Sequence, residues 1–360
     1  MNPISMTLRK GDICHMKTGT SDTYPKYRQG VYLVHKTKAA SAMWRITGRR
    51  TMVHIENLVK RYGDLLALDH LNLDIKEGEV FGLLGPNGSG KTTAINCLLA
   101  LLKYDKGTIT LFGQEMHPDS YDLKRQIGVV PQNVAVFDQM TVYENIDYFC
   151  GLYIKDRTRR KELTEEAIRF AGLEDHRKML PRKLSGGLLR RLNIACGIAH
   201  KPKLIIMDEP TVAVDPQSRN RILEGILELN RQGSTIIYTS HYMEEVEQIC
   251  SRIVIMDHGR SIASGTTEEL KRMIRTAETI RIEGIALTEE QLAAVKELPH
   301  VFQAGYEDQK LTVKCTSAKH NLIRVLNYLQ QQEVSFGRVY SELPTLNDVF
   351  LEITGKELRD

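Results

Sequence analysis

Apolar and polar positions follow two different patterns along this chain. Short runs rich in Val, Ile and Leu, typical of buried strands, are separated by longer stretches whose apolar residues recur at helical spacing. From residue 52 to about 270 the two patterns alternate, which predicts an α/β sheet. Within that region, Val53–Val59 alternates like a half-buried strand. Residues 133–183 are helical and charged, which indicates a helical insertion.

The pattern changes at both ends of this α/β region. Residues 1–51 show little periodicity and contain no motif, whereas residues 276–360 start a new pattern of strands and helices. The elements expected there are strand Thr279–Ile285, helix Thr288–Leu298, strand Leu311–Cys315 and helix Ala318–Gln331. We therefore predict three parts: an N-terminal extension over 1–51, a main α/β domain over 52–275, and a small α+β accessory domain over 276–360.

The net charge of +4 is unevenly distributed along the chain. Residues 1–51 hold ten Lys and Arg against Asp12 and Asp22, so the remainder has 39 basic and 43 acidic residues. A slightly acidic body does not favour nucleic-acid binding as the main task, and no nucleic-acid partner is expected. The basic extension is interpreted as a disordered tail or a non-native upstream extension, and its several methionines leave open a translation start at Met52. A functional basic arm and a transit peptide are the alternatives.

Hydropathy and cysteine usage indicate a reducing, cytosolic environment. No apolar stretch approaches the roughly 18–20 residues that span a bilayer, and the start of the chain does not resemble a secretory signal. The six cysteines are scattered without a C-x-x-C pair, which predicts reduced and mostly buried thiols. Any contact with a membrane is therefore expected through a partner or the protein surface.

One segment has the spacing of a phosphate-binding loop, G-x-x-x-x-G-K-[ST]. It consists of Gly85, Pro86, Asn87, Gly88, Ser89, Gly90, Lys91 and Thr92. The apolar run Val80–Leu84 precedes it as a strand, and Thr93–Leu99 follows as a helix, which is the context that this motif requires. The glycines allow backbone N–H groups to turn inward at a helix N-terminus. Lys91 can then reach the β- and γ-phosphates, and the Thr92 hydroxyl can bind Mg²⁺.

Two carboxylates follow the apolar run Leu204–Met207. A buried strand that ends in Asp208 and Glu209 is informative, because desolvating each charge is costly. In open α/β sheets, ligands bind beyond the carboxyl ends of the strands. We expect Asp208 to hold Mg²⁺ through water and Glu209 to polarise the attacking water. Surface capping is the alternative interpretation, and the phosphate loop in the same chain weighs against it.

Two further polar residues follow strand-like runs. His241 comes directly after Thr235–Ser240, and Gln132 comes after Val129–Pro131. A lone histidine in such a position is more often structural, but the phosphate loop ends on the same sheet edge, which favours a contact with the γ-phosphate. The amide oxygen of Gln132 could complete Mg²⁺ coordination or orient water.

A second anion site is expected where Ser185, Gly186 and Gly187 precede a helical run. Free N–H groups and the positive end of the helix dipole favour a phosphate there. The chain thus has two phosphate sites but only one loop with a lysine. The simplest explanation is that two molecules meet head to tail and share each nucleotide.

The ordered set of motifs resembles the ATP-binding subunit of an ABC transporter over about residues 52–270. The set comprises Tyr62, Gly85–Thr93, Gln132, Leu184–Gly187, Asp208, Glu209, Asp215 and His241. The resemblance implies a P-loop NTPase of the ABC type with a helical subdomain. It also implies that Tyr62 stacks on adenine and that Ser185–Gly187 bind the γ-phosphate held by the opposite subunit. By the same resemblance, Asp215 joins the dimer interface, called the seam below, and Gln132 couples to a membrane partner.

By the same resemblance Glu209 is the general base and His241 the γ-phosphate sensor. Leu188 stands where this family most often has glutamine, a change that leaves the Ser-Gly-Gly backbone intact. The run Leu343–Glu352 is similar to the tail of bacterial drug- and antibiotic-type exporter ATPases, which implies export.

These motifs together predict a Mg-ATP-hydrolysing dimer that drives a separate polytopic permease from the cytoplasmic face of the membrane. The second ATPase subunit is either a copy of this chain or a related chain. The alternatives are a soluble ABC-type ATPase acting on ribosomes or DNA, and a regulatory ATP sensor with little hydrolysis. A single ATPase unit and the absence of a long heptad insertion weigh against the first, and the intact acidic pair weighs against the second.

Overall fold

A computed structural model describes residues 50–355, so the predictions made for the N-terminal extension lie almost entirely outside the described residues. The central sheet has six strands. In spatial order these are β10 (Arg260–Gly265), β9 (Arg252–Asp257), β3 (Val80–Leu84), β8 (Thr235–Ser240), β7 (Leu204–Asp208) and β6 (Ile127–Val130). All neighbours except the β9–β10 hairpin are parallel, which confirms the predicted α/β sheet. β3, β7 and β8 are buried at every position, as expected when both faces of a parallel sheet are covered.

A second, antiparallel sheet packs on one side of the central sheet. Its order is β2 (Leu65–Lys76), β1 (Thr51–Tyr62), β4 (Lys106–Leu111) and β5 (Gln114–Glu115). The predicted strand Val53–Val59 lies within β1 and pairs with β2 on one side and β4 on the other. Apolar residues of β1, β2, β3 and helix α1 (Lys91–Leu98) form one shared hydrophobic core.

Seven further α-helices lie between residues 99 and 275. They are α2 (Tyr121–Lys124), α3 (Val142–Gly151), α4 (Arg157–Ala171), α5 (Gly186–Ile198), α6 (Pro216–Arg231), α7 (Met243–Ile249) and α8 (Thr267–Arg272). α3, α4 and α5 have a hydrophobic core of their own, and α3 and α4 lie inside the block predicted to be helical. Thr141 and Glu144 form a capping box at the start of α3, and Gly172 ends α4 in the left-handed conformation. Thr266 and Glu269 form a second capping box at the start of α8.

The C-terminal elements form a two-layer α+β unit. The antiparallel sheet has the order β12 (Val301–Glu307), β13 (Lys310–Cys315), β11 (Glu278–Glu283) and β14 (Val339–Glu342), and the helices are α9 (Glu289–Lys296), α10 (Asn321–Gln331) and α11 (Leu346–Thr354). Three predicted boundaries were wrong by two or more residues. The helix predicted over Thr288–Leu298 ends at Lys296. The predicted strand ends at Glu283 because Gly284 has φ 65°, and the last predicted helix begins at Asn321 because His320 has φ 66°. Both conformations are left-handed and interrupt a regular element.

At its end the chain packs again on the core of the central sheet. α11 buries Leu346, Val349 and Phe350 in the hydrophobic core that α6, α7 and the strands of the central sheet also share. Five cysteines among the described residues are free and buried, as predicted. No helix between residues 50 and 355 has the length and apolarity needed to cross a membrane.

Candidate functional site

The phosphate loop has the conformation that its glycines permit. Gly88 has φ 81° and Gly90, which precedes α1, has φ 102°, so both occupy the region that disfavours side chains. A Cβ on Gly90 would also lie 2.7 Å from the carbonyl oxygen of Ala67. Lys91 is only 6% exposed, and its Nζ donates to the carbonyls of Gly85 at 2.7 Å and Pro86 at 3.1 Å. The loop therefore folds around a nearly buried cation.

Burial lowers the pKa of the Lys91 amine, while the nearby charges of Glu209 and Asp208 act in the opposite direction. The hydroxyl of Ser89 is buried and has no hydrogen-bond partner among the described residues. An inward-facing cation, an unpaired buried hydroxyl and the N-terminus of α1 together fit a polyanionic ligand.

The end of β7 brings two buried carboxylates next to this loop. Asp208 Oδ2 accepts a hydrogen bond from Thr92 Oγ1 at 3.3 Å, and Asp208 Oδ1 accepts one from Thr239 Oγ1 at 2.6 Å. Thr239 Oγ1 in turn accepts from the backbone N–H of Glu209 at 2.9 Å. Glu209 has φ 48°, an uncommon conformation for a non-glycine residue, which turns the chain sharply after the strand. This strained position is characteristic of functional sites.

Gln132 and His241 converge on the side chain of Glu209. Gln132 Nε2 donates to Glu209 Oε2 at 3.0 Å. His241 Nδ1 lies 3.4 Å from the same oxygen, at an angle that does not make a hydrogen bond. The His241 ring also contacts Tyr242, with ring centroids 4.1 Å apart. Gln132 and His241, predicted separately from strand ends, thus meet at one carboxylate.

A cavity of about 320 Å³ unites most of the predicted residues. Those lining it are Tyr62, Asn87, Gly88, Gly90, Lys91, Thr92, Thr93, Gln132 and Glu209. Asp208 and His241 support the wall through their contacts with Thr92 and Glu209. Sequence reasoning missed Leu65, Leu66, Ala67, His258 and Gly259, which also line the cavity. The Asp-His-Gly sequence of the turn between β9 and β10 was the available signal for the last two. A larger groove of about 730 Å³ opens at the amino end of β7 and contains none of these groups.

Ser185 and Asp215 stand apart from that cavity. Ser185 caps α5 by accepting from the N–H of Leu188 at 3.3 Å, and Asp215 caps α6 by accepting from the N–H of Ser218 at 2.9 Å. The second bond lowers the pKa of Asp215. Neither residue lines the cavity, and the same holds for Gly186 and Gly187. In one chain, therefore, the structure does not bring the two predicted phosphate sites together.

The oxygen ligands near the loop fit a small, hard cation. Thr92 Oγ1 and Asp208 Oδ2 lie 3.3 Å apart, and the Gln132 amide reaches the adjacent Glu209. No group of three or more His, Cys, Asp or Glu among residues 50–355 could hold a metal by itself. This donor set matches the way in which proteins bind Mg²⁺, through one or two protein oxygens together with substrate phosphates.

Comparisons with known proteins agree with the motifs. Residues 68–212 match the family described as "ABC transporter", and residues 265–354 match "ATP-binding protein DrrA1-3-like, C-terminal domain". The linearmycin resistance ATP-binding protein LnrL of Bacillus subtilis is 37% identical over 86% of this chain and 100% of its own length. The daunorubicin resistance ATP-binding protein DrrA3 of Streptomyces coeruleorubidus is 34% identical over 86% and 98%.

Solved structures of similar proteins cover a little over half of the chain. One described as the ATP-binding subunit of an ABC transporter has a TM-score of 0.58 and 25% identity, over 62% of this chain and 93% of its own. A dimeric ATP-binding cassette in a post-hydrolysis state, bound to ADP and Pi, has a TM-score of 0.55 and 28% identity, over 60% and 98%.

Proposed function

The chain belongs to the ATP-binding subunits of ABC transporters, and on that premise we propose that it powers export through a separate membrane permease. The ATPase forms a head-to-tail dimer that binds and hydrolyses ATP. We assign this activity to residues 52–275 and treat residues 276–360 as an accessory domain. The substrate of transport would pass through the permease, so the residues of this chain do not determine it.

The single observation that carries the catalytic assignment is the convergence at Glu209 Oε2. Gln132 donates to this oxygen and His241 lies beside it, while Lys91 lines the same cavity. A carboxylate held in this way can orient a water molecule and accept its proton. His241 then contacts the γ-phosphate, whose negative charge Lys91 offsets.

Thr92 and Asp208 would hold Mg²⁺, which would supply positive charge to offset that of the phosphates. Tyr62 is 48% exposed at the rim of the cavity, where its ring is available to stack on adenine. These residues complete the half of the nucleotide site that belongs to one subunit.

The other half comes from Ser185, Gly186, Gly187 and Asp215 of the opposing subunit. Ser185 and Gly186 are exposed, and they lie outside the cavity of their own chain. The N–H groups at the start of α5 therefore remain available to a phosphate presented by another molecule.

We place the protein at the cytoplasmic face of the membrane, attached through a polytopic permease. Export is supported by the names of relatives that concern linearmycin resistance, daunorubicin resistance and Nod factor export. ATP binding closes the dimer and hydrolysis opens it. The bound nucleotide thus shifts the equilibrium between the closed and the open dimer, and the permease is coupled to that equilibrium.

Replacing the proposed base tests this function. Glu209→Gln should still bind ATP and accumulate as a dimer, while turnover falls about 10²–10⁴-fold, the usual contribution of general-base catalysis. Glu224→Gln, on the exposed face of α6, is the matched control and should behave as wild type. A Glu209→Gln enzyme that hydrolyses ATP at the wild-type rate would refute the assignment.

A further inference from the structure

Glu245 is a buried carboxylate outside the residues assigned so far. It lies on α7, is 3% exposed, and accepts three hydrogen bonds at Oε2. The donors are Thr211 Oγ1 at 2.8 Å, Tyr238 OH at 2.6 Å and Ser240 Oγ at 3.0 Å. Arg219 Nε lies 3.2 Å from Oε1. A buried charge is costly unless it is paired and hydrogen-bonded, so this network fixes the elements that donate to it.

Two of these donors belong to segments that carry proposed site residues. Thr211 is fully buried in the loop that connects β7 to Asp215, the proposed seam residue. Ser240 directly precedes His241, and its Oγ also accepts from the N–H of Tyr242 at 2.9 Å. The Glu245 carboxylate therefore binds the loop before Asp215 directly. It also restrains both neighbours of His241, Ser240 directly and Tyr242 through the Ser240 hydroxyl.

Arg219 provides a second connection between the same two segments. Its backbone N–H donates to the carbonyl of Asp215 at 2.9 Å, and its guanidinium lies over the Tyr242 ring at 4.6 Å. The Tyr242 ring contacts the ring of His241. A cation stacked on this aromatic ring restrains the tyrosine and, through it, the histidine.

We propose that Glu245 is a positioning residue that fastens the loop carrying Asp215 to the turn carrying His241. The seam residue and the phosphate-sensing residue then move together, and the closing of the dimer places His241 for hydrolysis. This inference rests on the proposed function, which assigns roles to Asp215 and His241. A carboxylate that merely stabilised the fold would hold the same partners but would not affect turnover specifically.

Single substitutions in the hydrogen-bond network around Glu245 test the proposal. Thr211→Val removes the donor on the loop, Ser240→Ala removes the donor beside the histidine, and Glu245→Gln removes the charge. Each should lower kcat about ten-fold while the KM for ATP changes less than about two-fold, the size expected for one hydrogen bond to a charged group. Thr164→Val is the matched control, because Thr164 is equally buried, in α4, and its hydroxyl has no partner among the described residues. It should retain the wild-type kcat.

A double-mutant cycle distinguishes positioning from a structural role. In a His241→Ala background, Thr211→Val and Ser240→Ala should cause no further loss in single-turnover rate, because they act through the histidine. If the losses multiply in that background, or if Thr211→Val keeps the wild-type kcat, the proposal is wrong. The melting temperature of each variant identifies any variant that does not fold. If Glu245→Gln does not fold, Thr211→Val and Ser240→Ala still test the proposal. Failure of the proposed function would appear separately, as unchanged turnover in Glu209→Gln.

Discussion

Adding one methyl group at Gly186 should separate stability from activity. Gly186 is exposed in the first turn of α5, and a Cβ placed there would find no atom closer than the carbonyl oxygen of Ala213, at 3.8 Å. Its backbone is helical, so alanine is compatible with it. Gly186→Ala should therefore leave the folded chain unchanged or stabilise it by up to about 1 kcal/mol, because glycine is a weaker helix former than alanine.

The same methyl group should interfere with the nucleotide of the opposing subunit. In the proposed dimer, the backbone at Gly186 approaches a γ-phosphate, and a methyl group at that contact displaces the phosphate from the water and its base. A misplacement of about 1 Å is enough to lower a rate about 10²-fold. We expect ATPase activity to fall by that order while the Tm is unchanged or slightly raised.

Gly187→Ala is the informative comparison. A Cβ at Gly187 would collide with Ser218, lying 2.8 Å from its Cβ, and would lie 3.1 Å from Asp215 Oδ2. Overpacking of this kind costs about 1–3 kcal/mol, so this variant should lose stability within a single subunit. Steady-state ATPase assays and thermal unfolding of both variants provide the measurement. A Gly186→Ala protein with wild-type turnover would refute the reasoning about the shared site.

Three other predictions concern binding, pH dependence and the C-terminal helix. Lys91→Ala should abolish measurable ATP affinity, because a buried polyanion would lack its fixed cation. The surface variant Lys103→Ala is the control and should retain the affinity of the wild type. Equal affinities of the two variants in a fluorescent-nucleotide titration would reject the phosphate-loop assignment. Burial lowers the pKa of His200 to about 4. Below pH 6.5 the unfolded chain therefore binds a proton that the folded chain does not, and the free energy of unfolding decreases as the pH is lowered. When the pH is lowered from 7.5 to 5, the free energy of unfolding of His200→Gln should therefore decrease by about 2 kcal/mol less than that of the wild type, as measured by denaturant unfolding. An equal decrease in both proteins would contradict this prediction. Phe350→Ala should destabilise the protein by about 3–5 kcal/mol, because the Phe350 ring is 1% exposed in the core that α11 shares with the central sheet. Ile353→Ala, on the exposed side of α11, is the control and should change the free energy of unfolding by about 0.5 kcal/mol or less.

The sequence predicts the placement of the polar residues at the strand ends well, because the patterns that indicate them are local. A glycine-rich loop between a strand and a helix, and acids after a buried strand, have few physical interpretations. The parallel sheet then brings Lys91, Asp208 and Glu209 to one edge, as expected from the alternation of strands and helices. The phosphate loop and the end of β7 could thus be placed together before any coordinates were known.

The features that sequence reasoning missed depend on contacts between distant segments. Glu245 reads as one of several acids on a short amphipathic helix, and only the fold surrounds it with hydroxyl groups from a neighbouring strand and loop. The return of α11 into the main core depends on the packing of Phe350, which a run of nine residues does not reveal. His258 reaches the cavity only because the β9–β10 hairpin lies beside β2.

Subunit mixing tests most directly whether each nucleotide is shared between two chains. Lys91→Ala and Gly186→Ala damage different halves of the site, and each can be made in a Glu209→Gln background that blocks hydrolysis. A mixed dimer would contain one site in which both halves are intact. We predict that an equimolar mixture retains labelled ATP in a dimer on gel filtration, whereas neither variant alone does so. A mixture that retains no more nucleotide than its separate components would contradict the head-to-tail arrangement.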